Sequence, residues 1–158
     1  MLSIQLSVFP VLASERLTLR ELRTTDAERV FAMRSDPLVM EHVNRPLATG
    51  LADAVALIDL ITERGVAGES VQWAMTLKGQ DDLIGIIGFW RIVPEHHLAE
   101  LGYMLARDHW GRGLISEAIA TVLPFGFGDL GLHRVEAITS PENTASIRAL
   151  EKNGFERE

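Results

Sequence analysis

The stretch Trp110-Gly111-Arg112-Gly113-Leu114-Ile115-Ser116-Glu117-Ala118 gathers the residue types that hold a phosphate. Two glycines one residue apart stand between a strand-like apolar run, Leu98 to Leu105, and a helix-like run, Leu114 to Leu123. A glycine turn that opens a helix lets backbone N–H groups crowd around an anion, and the helix end adds its partial positive charge. The chemistry predicted is retention of a cofactor with a diphosphate. A second candidate is Glu100, a carboxylate inside a predicted central strand, where burial is costly. It reads either as a paired carboxylate that tethers a loop or an arginine, or as a base that accepts an amine's proton. A third is Asn143, three residues before Ser146, the spacing of a helix N-cap whose oxygen accepts the Ser146 N–H.

Other diphosphate and catalytic patterns fit less well. Gly111-x-Gly113-x-x-Ser116 approaches the dinucleotide-binding turn, with Glu136 about 20 residues on, where a ribose contact belongs. Against it, the third position is Ser116, the preceding residues Arg107-Asp108-His109-Trp110 do not end an apolar strand, and too little chain follows for the remaining parallel strands. His96-His97 is followed by Leu101 where the double-histidine motif of condensing acyltransferases needs Asp. No Walker loop, zinc-spaced histidine pair or nucleophile elbow is present.

The elements that must position these residues follow from periodicity. Arg16 to Leu22 alternates as a half-buried strand, and Thr25-Asp26-Ala27-Glu28 reads as a capping box opening a helix through Val30 and Phe31. Leu51, Ala54, Val55, Ile58 and Ile61 keep helical spacing up to Gly65. Val71 to Leu77 and Leu83 to Trp90 form a hairpin, Leu98 to Leu105 a further strand, and a helix runs from the glycine turn to near Gly126. Arg134 to Ile138 is a strand, Asn143 to Asn153 a helix closed by Gly154, and Phe155 begins a last strand. The order β-α-α-β-β-β-α-β-α-β gives an α+β class.

The 158 residues make one domain, and 47% hydrophobic with 23% charged residues describes a globular chain. Without cysteine there is no disulfide, thiolate metal site or cysteine intermediate, which fits a reducing, cytoplasmic setting. A net charge of −7 gives no footprint for nucleic acid and suits solubility or a cationic partner such as an amine. Met1 to Ala13 is an apolar extension without the basic start of a secretory signal and too short to span a membrane. Its alternation at Leu2, Ile4, Leu6 and Val8 reads as an extra edge strand or packing arm.

Four segments together resemble the GNAT-fold acetyltransferases, most closely the ribosomal-protein N-terminal acetyltransferase branch (RimJ/RimL-like). They are Glu15 to Arg20, Ala99-Glu100-Leu101-Gly102-Tyr103-Met104-Leu105, His109 to Ala118, and Asn143-Thr144-Ala145-Ser146-Ile147-Arg148-Ala149-Leu150-Glu151-Lys152-Asn153-Gly154-Phe155. The resemblance implies a mixed, mostly antiparallel twisted sheet flanked by helices, and acetyl transfer from acetyl-CoA, without metal, to a primary amine. It implies that Trp110, Gly111, Arg112, Gly113, Leu114 and Ile115 offer N–H donors to the diphosphate, and that a strand splays near Met104 and Leu105 to free an N–H for the thioester carbonyl. It places Asn143 beside the pantetheine arm and Ser146 beside the leaving sulfur, which Ser146 would protonate or hydrogen-bond. His42, Asn44, His96 and His97 fall in connections that border the acceptor cleft in this fold; Tyr103 reads as core.

The resemblance leaves the acceptor open between a protein N-terminal α-amine and a small-molecule amine. A non-catalytic acyl-CoA-binding module is the alternative from another class. Asp108 stands where the broad family has Gln or Arg, and Leu150 where many members have a Tyr acid. The family's usual last strand has no counterpart before Glu158, so the chain is shortened, the sheet is smaller, or a partner subunit, as in a homodimer, covers the edge.

Overall fold

A computed structural model describes residues 8–158, so the strand expected around Leu2, Ile4 and Leu6 lies outside the described residues. Six strands form one sheet in chain order: β1 (Leu12–Ala13), β2 (Leu17–Arg20), β3 (Val71–Leu77), β4 (Leu83–Val93), β5 (Leu98–Leu105) and β6 (Arg134–Glu136). All neighbours are antiparallel except β5 and β6, which are parallel. Four helices cover it: α1 (Ala27–Arg34), α2 (Leu51–Val66), α3 (Leu114–Phe127) and α4 (Thr144–Lys152). The mixed, mostly antiparallel α+β architecture is the one expected.

Alternation along the strands divides the side chains between two cores. Trp73, Met75, Ile87, Phe89, Leu101 and Leu105 pack with α3 and Leu150 of α4. Ala74, Leu83 and Ile86 pack instead with Val30, Met33, Ala54, Ile58 and Ile61 of α1 and α2. Both faces are therefore buried, which is why β3 and β4 read as nearly continuous apolar runs rather than clean alternation. α3 lies so close to the sheet that a Cβ added at Gly126 would stand 2.6 Å from Cζ of Phe89.

Several local expectations change. Asp26, not Glu28, caps the first helical turn: its carboxylate accepts the Arg23 N–H at 2.7 Å and pairs with the buried Arg20 guanidinium at 2.8 Å. The chain ends its second helix beyond Gly65, at Val66. There the Glu69 N–H reaches the Arg64 carbonyl (2.9 Å) and the Gly68 N–H the Gly65 carbonyl (3.1 Å), with Gly68 at φ +76°. That is the paired Schellman closure, and Gly68 rather than Gly65 supplies the left-handed residue. Of the N-terminal extension, Leu12–Ala13 does pair as an edge strand. β6 stops at Glu136, short of Ile138, and Phe155 opens no strand.

Candidate active site

β5 runs beside β4 over its whole length but beside β6 only at Leu98, Ala99 and Glu100. Beyond Glu100 the two parallel strands part. The Ala106 N–H donates to the Ile84 carbonyl at 2.8 Å, and register pairs Ile86 with Met104. Backbone groups alternate sides along a strand, so those of Met104 face β4, whereas those of Tyr103 and Leu105 face the gap. This corrects the expectation at Met104: its N–H is engaged in the sheet, and the free donors belong to Leu105 and Tyr103. On β4 the register shifts between Phe89 and Arg91, opposite the point where the strands part. A bulge there raises local twist and bends the strand.

The same alternation sets which face each side chain takes. Tyr103 and Leu105 pack on the α3–α4 face, and Met104 on the α1–α2 face. Glu100 shares the parity of Met104. It is 6% exposed, and its Oε1 lies 3.6 Å from Nη1 of Arg91. Glu100 thus lies within ion-pair distance of Arg91 but beyond hydrogen-bond reach of it.

Ser146 is buried at the start of α4, and its N–H donates to Oδ1 of Asn143 at 3.3 Å, the N-cap expected. Its hydroxyl is hydrogen-bonded to the Tyr103 phenol across the gap. Burial pushes the Tyr103 pKa above its ordinary value, against the opposing pull of the Ser146 bond. Tyr103, read from sequence as core, therefore joins the candidate site as a neutral O–H. Leu150 lies in the core.

The loop after β5 turns through Arg107–His109, and the Trp110 indole Nε1 donates to the Leu105 carbonyl at 2.8 Å. Gly111 and Gly113 both sit in the left-handed region, at φ +76° and +75°. The Trp110 N–H is engaged with the Arg107 carbonyl at 3.1 Å, so Trp110 does not offer the backbone donor expected of it. Among the described residues no protein acceptor takes the N–H of Gly111, Arg112, Gly113, Leu114, Ile115 or Ser116. A run of convergent, unengaged donors at the head of a 14-residue helix is a fitting cradle for a diphosphate.

Sequence reasoning missed how this loop is held. Arg16, just before β2, donates from Nη1 to the Arg112 carbonyl (2.8 Å) and from Nε to Glu117 (2.7 Å). Glu117 also accepts the Arg16 N–H (2.8 Å) and the Ser14 hydroxyl (2.6 Å). Burial alone would raise the Glu117 pKa, but these donors and the guanidinium outweigh it and hold the carboxyl below its ordinary value. A carboxylate in the first turn of α3 would repel a phosphate; Arg16 offsets its charge. At the other end, Asn153 Nδ2 donates to the Ser116 carbonyl (3.2 Å) and hydroxyl (3.1 Å), joining α4 to α3. Both Arg16 and Glu117 lie in segments that carry the family resemblance, but nothing in their spacing announces the contact.

The expected acceptor-side histidines separate. His97, at φ +49°, stacks on His133 with centroids 4.3 Å apart, and its carbonyl accepts the His133 (2.7 Å) and Arg134 (3.2 Å) N–H groups. It is a structural junction that starts β6. His42 and Asn44 remain in the α1–α2 connection, and His96 closes the short turn Pro94–His96. On the α1–α2 side a cleft of about 270 Å³ opens among Met33, Asp36, Val39, Ala106, Arg107 and His109, with Arg107 Nε 3.2 Å from Asp36. Among the described residues no cluster of His, Asp and Glu is arranged to hold a metal, and no helix is long and apolar enough to cross a membrane.

Comparison with known proteins places this geometry. The chain is 38% identical to the uncharacterized N-acetyltransferase p20 of Bacillus licheniformis over 93% of its length and 83% of that protein's. A shorter region, 48% of this chain and 42% of the relative, is 36% identical to the ribosomal-protein-serine acetyltransferase of Escherichia coli. Among solved structures, the RimL ribosomal α-N-protein acetyltransferase in complex with coenzyme A has the same fold. Its TM-score is 0.86, over 94% of this chain and 85% of that one, at 17% identity. The model of the acetyltransferase (GNAT) domain matches residues 16–156, and the chain belongs to that family of acetyl-CoA-dependent N-acetyltransferases.

Proposed function

We propose that the chain acetylates a protein N-terminal α-amine, with the amine reaching the β5–β6 gap from the α1–α2 face and acetyl-CoA lying on the α3–α4 face. The observation that carries this reading is the placement of Glu100 and the Tyr103–Ser146 pair on opposite faces of β5 beside one gap. Gly111 to Ile115 and Ser116 hold the diphosphate, and Asn143 flanks the pantetheine arm. The gap-facing N–H of Tyr103 or Leu105 donates to the thioester oxygen as negative charge develops on it. The amine nitrogen forms the new C–N bond, the C–S bond breaks, and the Ser146 hydroxyl, backed by the Tyr103 phenol, gives the leaving sulfur its proton. Glu100 takes the nitrogen's proton, directly or through water, and passes it to solvent, from which the Tyr103–Ser146 pair regains the proton it gave to sulfur.

Glu100 bears on the acceptor's identity. Only the neutral amine has the lone pair that attacks the thioester, so Glu100 serves for the proton released once the C–N bond has formed. An α-amine, with pKa about 7.7–8.0, is roughly a quarter neutral near pH 7.4, whereas a lysine-like amine near 10.4 is about 0.1% neutral. The difference of about two hundredfold favours the α-amine, in line with the acceptors named for the ribosomal-protein relatives. The test is CoA thiol release from acetyl-CoA against peptides with N-terminal Ala, Ser or Met, with spermidine, an aminoglycoside and free amino acids beside them. Turnover confined to peptides is expected. Turnover on spermidine with none on the peptides would overturn the reading, and tight acetyl-CoA binding with silence throughout would favour a binding module.

A further inference from the structure

Four charged side chains are buried among the described residues: Arg20, Asp26, Arg34 and Glu100. Arg20 and Asp26 pair with each other, and Glu100 pairs with Arg91. Arg34, the last residue of α1 and 8% exposed, has no carboxylate within 4.0 Å among the described residues. Its Nη2 donates to the Pro46 carbonyl at 3.0 Å, and its buried Nε has no acceptor. The Ala48 N–H bonds the Arg34 carbonyl at 2.9 Å, so the 45–48 segment folds back over this residue and fixes it. A buried charge with no carboxylate in direct contact, only the longer-range pull of Asp53, carries a desolvation cost that an anion placed against it would offset.

Arg34 lines a cleft of about 290 Å³ with Arg45, Leu47, Asp53, Leu57 and Leu60. The Asp53 carboxylate accepts the Thr49 N–H (2.8 Å) and hydroxyl (3.1 Å), bonds that hold its pKa low and direct it toward the start of α2. The cleft is thus lined by two guanidinium groups, one carboxylate already engaged by Thr49, and the leucines Leu47, Leu57 and Leu60. None of its lining residues belongs to β5, the glycine loop or α3.

We propose that this cleft binds a small carboxylate carrying a short apolar chain, with the carboxylate on Arg34 and Arg45 and the chain against Leu57 and Leu60. The site is separate from the acetyl-CoA cradle. The guanidinium fork matches a carboxylate's two oxygens, and the leucines exclude ligands that are anionic but wholly polar.

The test is calorimetric titration of the full chain with hexanoate, with hexanol, hexylamine and acetate as comparisons. Saturable hexanoate binding is expected, with no saturation by hexanol or hexylamine and acetate weaker by about tenfold or more. Arg34→Gln should weaken hexanoate by more than about tenfold. Because Arg34 is buried, Leu60→Asp and Arg45→Gln, both at exposed positions, test the same surface without disturbing the core. Each should weaken hexanoate by about threefold or more while acetyl-CoA affinity stays unchanged. Absent hexanoate saturation, equal binding of hexanol, unchanged binding in both surface variants, or competition between hexanoate and acetyl-CoA would overturn the proposal.

Discussion

Glu117→Gln tests whether the glycine loop is held in shape from β2. The native carboxylate accepts three donors, Ser14 Oγ at 2.6 Å and the Arg16 N–H and Nε at 2.8 and 2.7 Å. A carboxamide has one acceptor oxygen, so its NH2 must face at least one of these donors. Hydrogen bonds to a charged group contribute about 1.5–3 kcal/mol each, and the Arg16 side chain is 45% exposed, which screens its share. The expected loss is about 2 kcal/mol, or a Tm lower by about 4–8 °C for a chain of this size. With Arg16 released from Glu117, its bond to the Arg112 carbonyl loosens and the loop's donors lose their alignment. Acetyl-CoA affinity should then fall about five- to tenfold. The pH dependence has a definite sign. The native carboxyl is held below its ordinary value, so its contribution is complete above about pH 5 and fades as pH falls through the native pKa. The stability gap between wild type and variant should therefore narrow in acid. Thermal denaturation across pH and calorimetry with acetyl-CoA measure both effects. Affinity within twofold of wild type despite a lower Tm would reduce the Arg16–Glu117 contact to a structural brace. No change in either would refute the reasoning.

Gly113→Val puts a β-branched residue at φ +75°, strained by about 1–2 kcal/mol, although its Cβ would meet only Arg16 Nη2 at 3.6 Å. The chain should fold by circular dichroism yet lose more than about tenfold in acetyl-CoA affinity by calorimetry. Glu100→Gln should lower kcat on an N-terminal peptide by about a hundredfold across pH 6–9, since the amine reaches the site neutral in both proteins and only the later proton removal is lost. Turnover intact across pH 6–9 would retire the base role. Tyr103 is the only tyrosine, so its phenolate absorbance reports one site. The band should appear only above the ordinary tyrosine range, and in Ser146→Ala it should move higher still, since the Ser146 bond lowers the native pKa. Because the native pKa is raised, stability is undiminished below about pH 10 and falls as pH climbs through the native value. Retention of full kcat in Ser146→Ala would remove Ser146 as the acid.

What was legible in the sequence was local. Gly111 and Gly113 marked the cradle because a left-handed turn and a following helix leave a compositional trace within a few residues. The Asn143 cap was legible for the same reason: its acceptor lies three residues away. The hairpin of β3 and β4 and the helices α2 and α3 showed through periodicity, although α2 ran past Gly65 because the Schellman closure at Gly68 satisfies its last carbonyls. The capping box at Thr25 failed by two residues in register, since the box that forms joins Arg23 and Asp26. Asp26 is drawn to Arg20, a partner on β2 that no local rule could supply.

The unread parts share a physical cause. The contact between Arg16 and Glu117 spans 101 residues of chain, and that between Tyr103 and Ser146 spans 43. Each exists only because the sheet brings β2 beside α3, or β5 beside α4. Residue type sets what such a pair can do, but topology alone decides that it forms. The parting of β5 from β6 is of the same kind. Nothing in Leu101 to Leu105 distinguishes a strand paired on both sides from one paired on a single side, since the residues are apolar either way. The gap arises because β6 contributes three residues before the chain turns toward α4. Once it opens, strand parity does the rest, directing Glu100 to one face and Tyr103 to the other. In the proposed reaction the amine and the thioester approach the same backbone donors from opposite sides of the sheet.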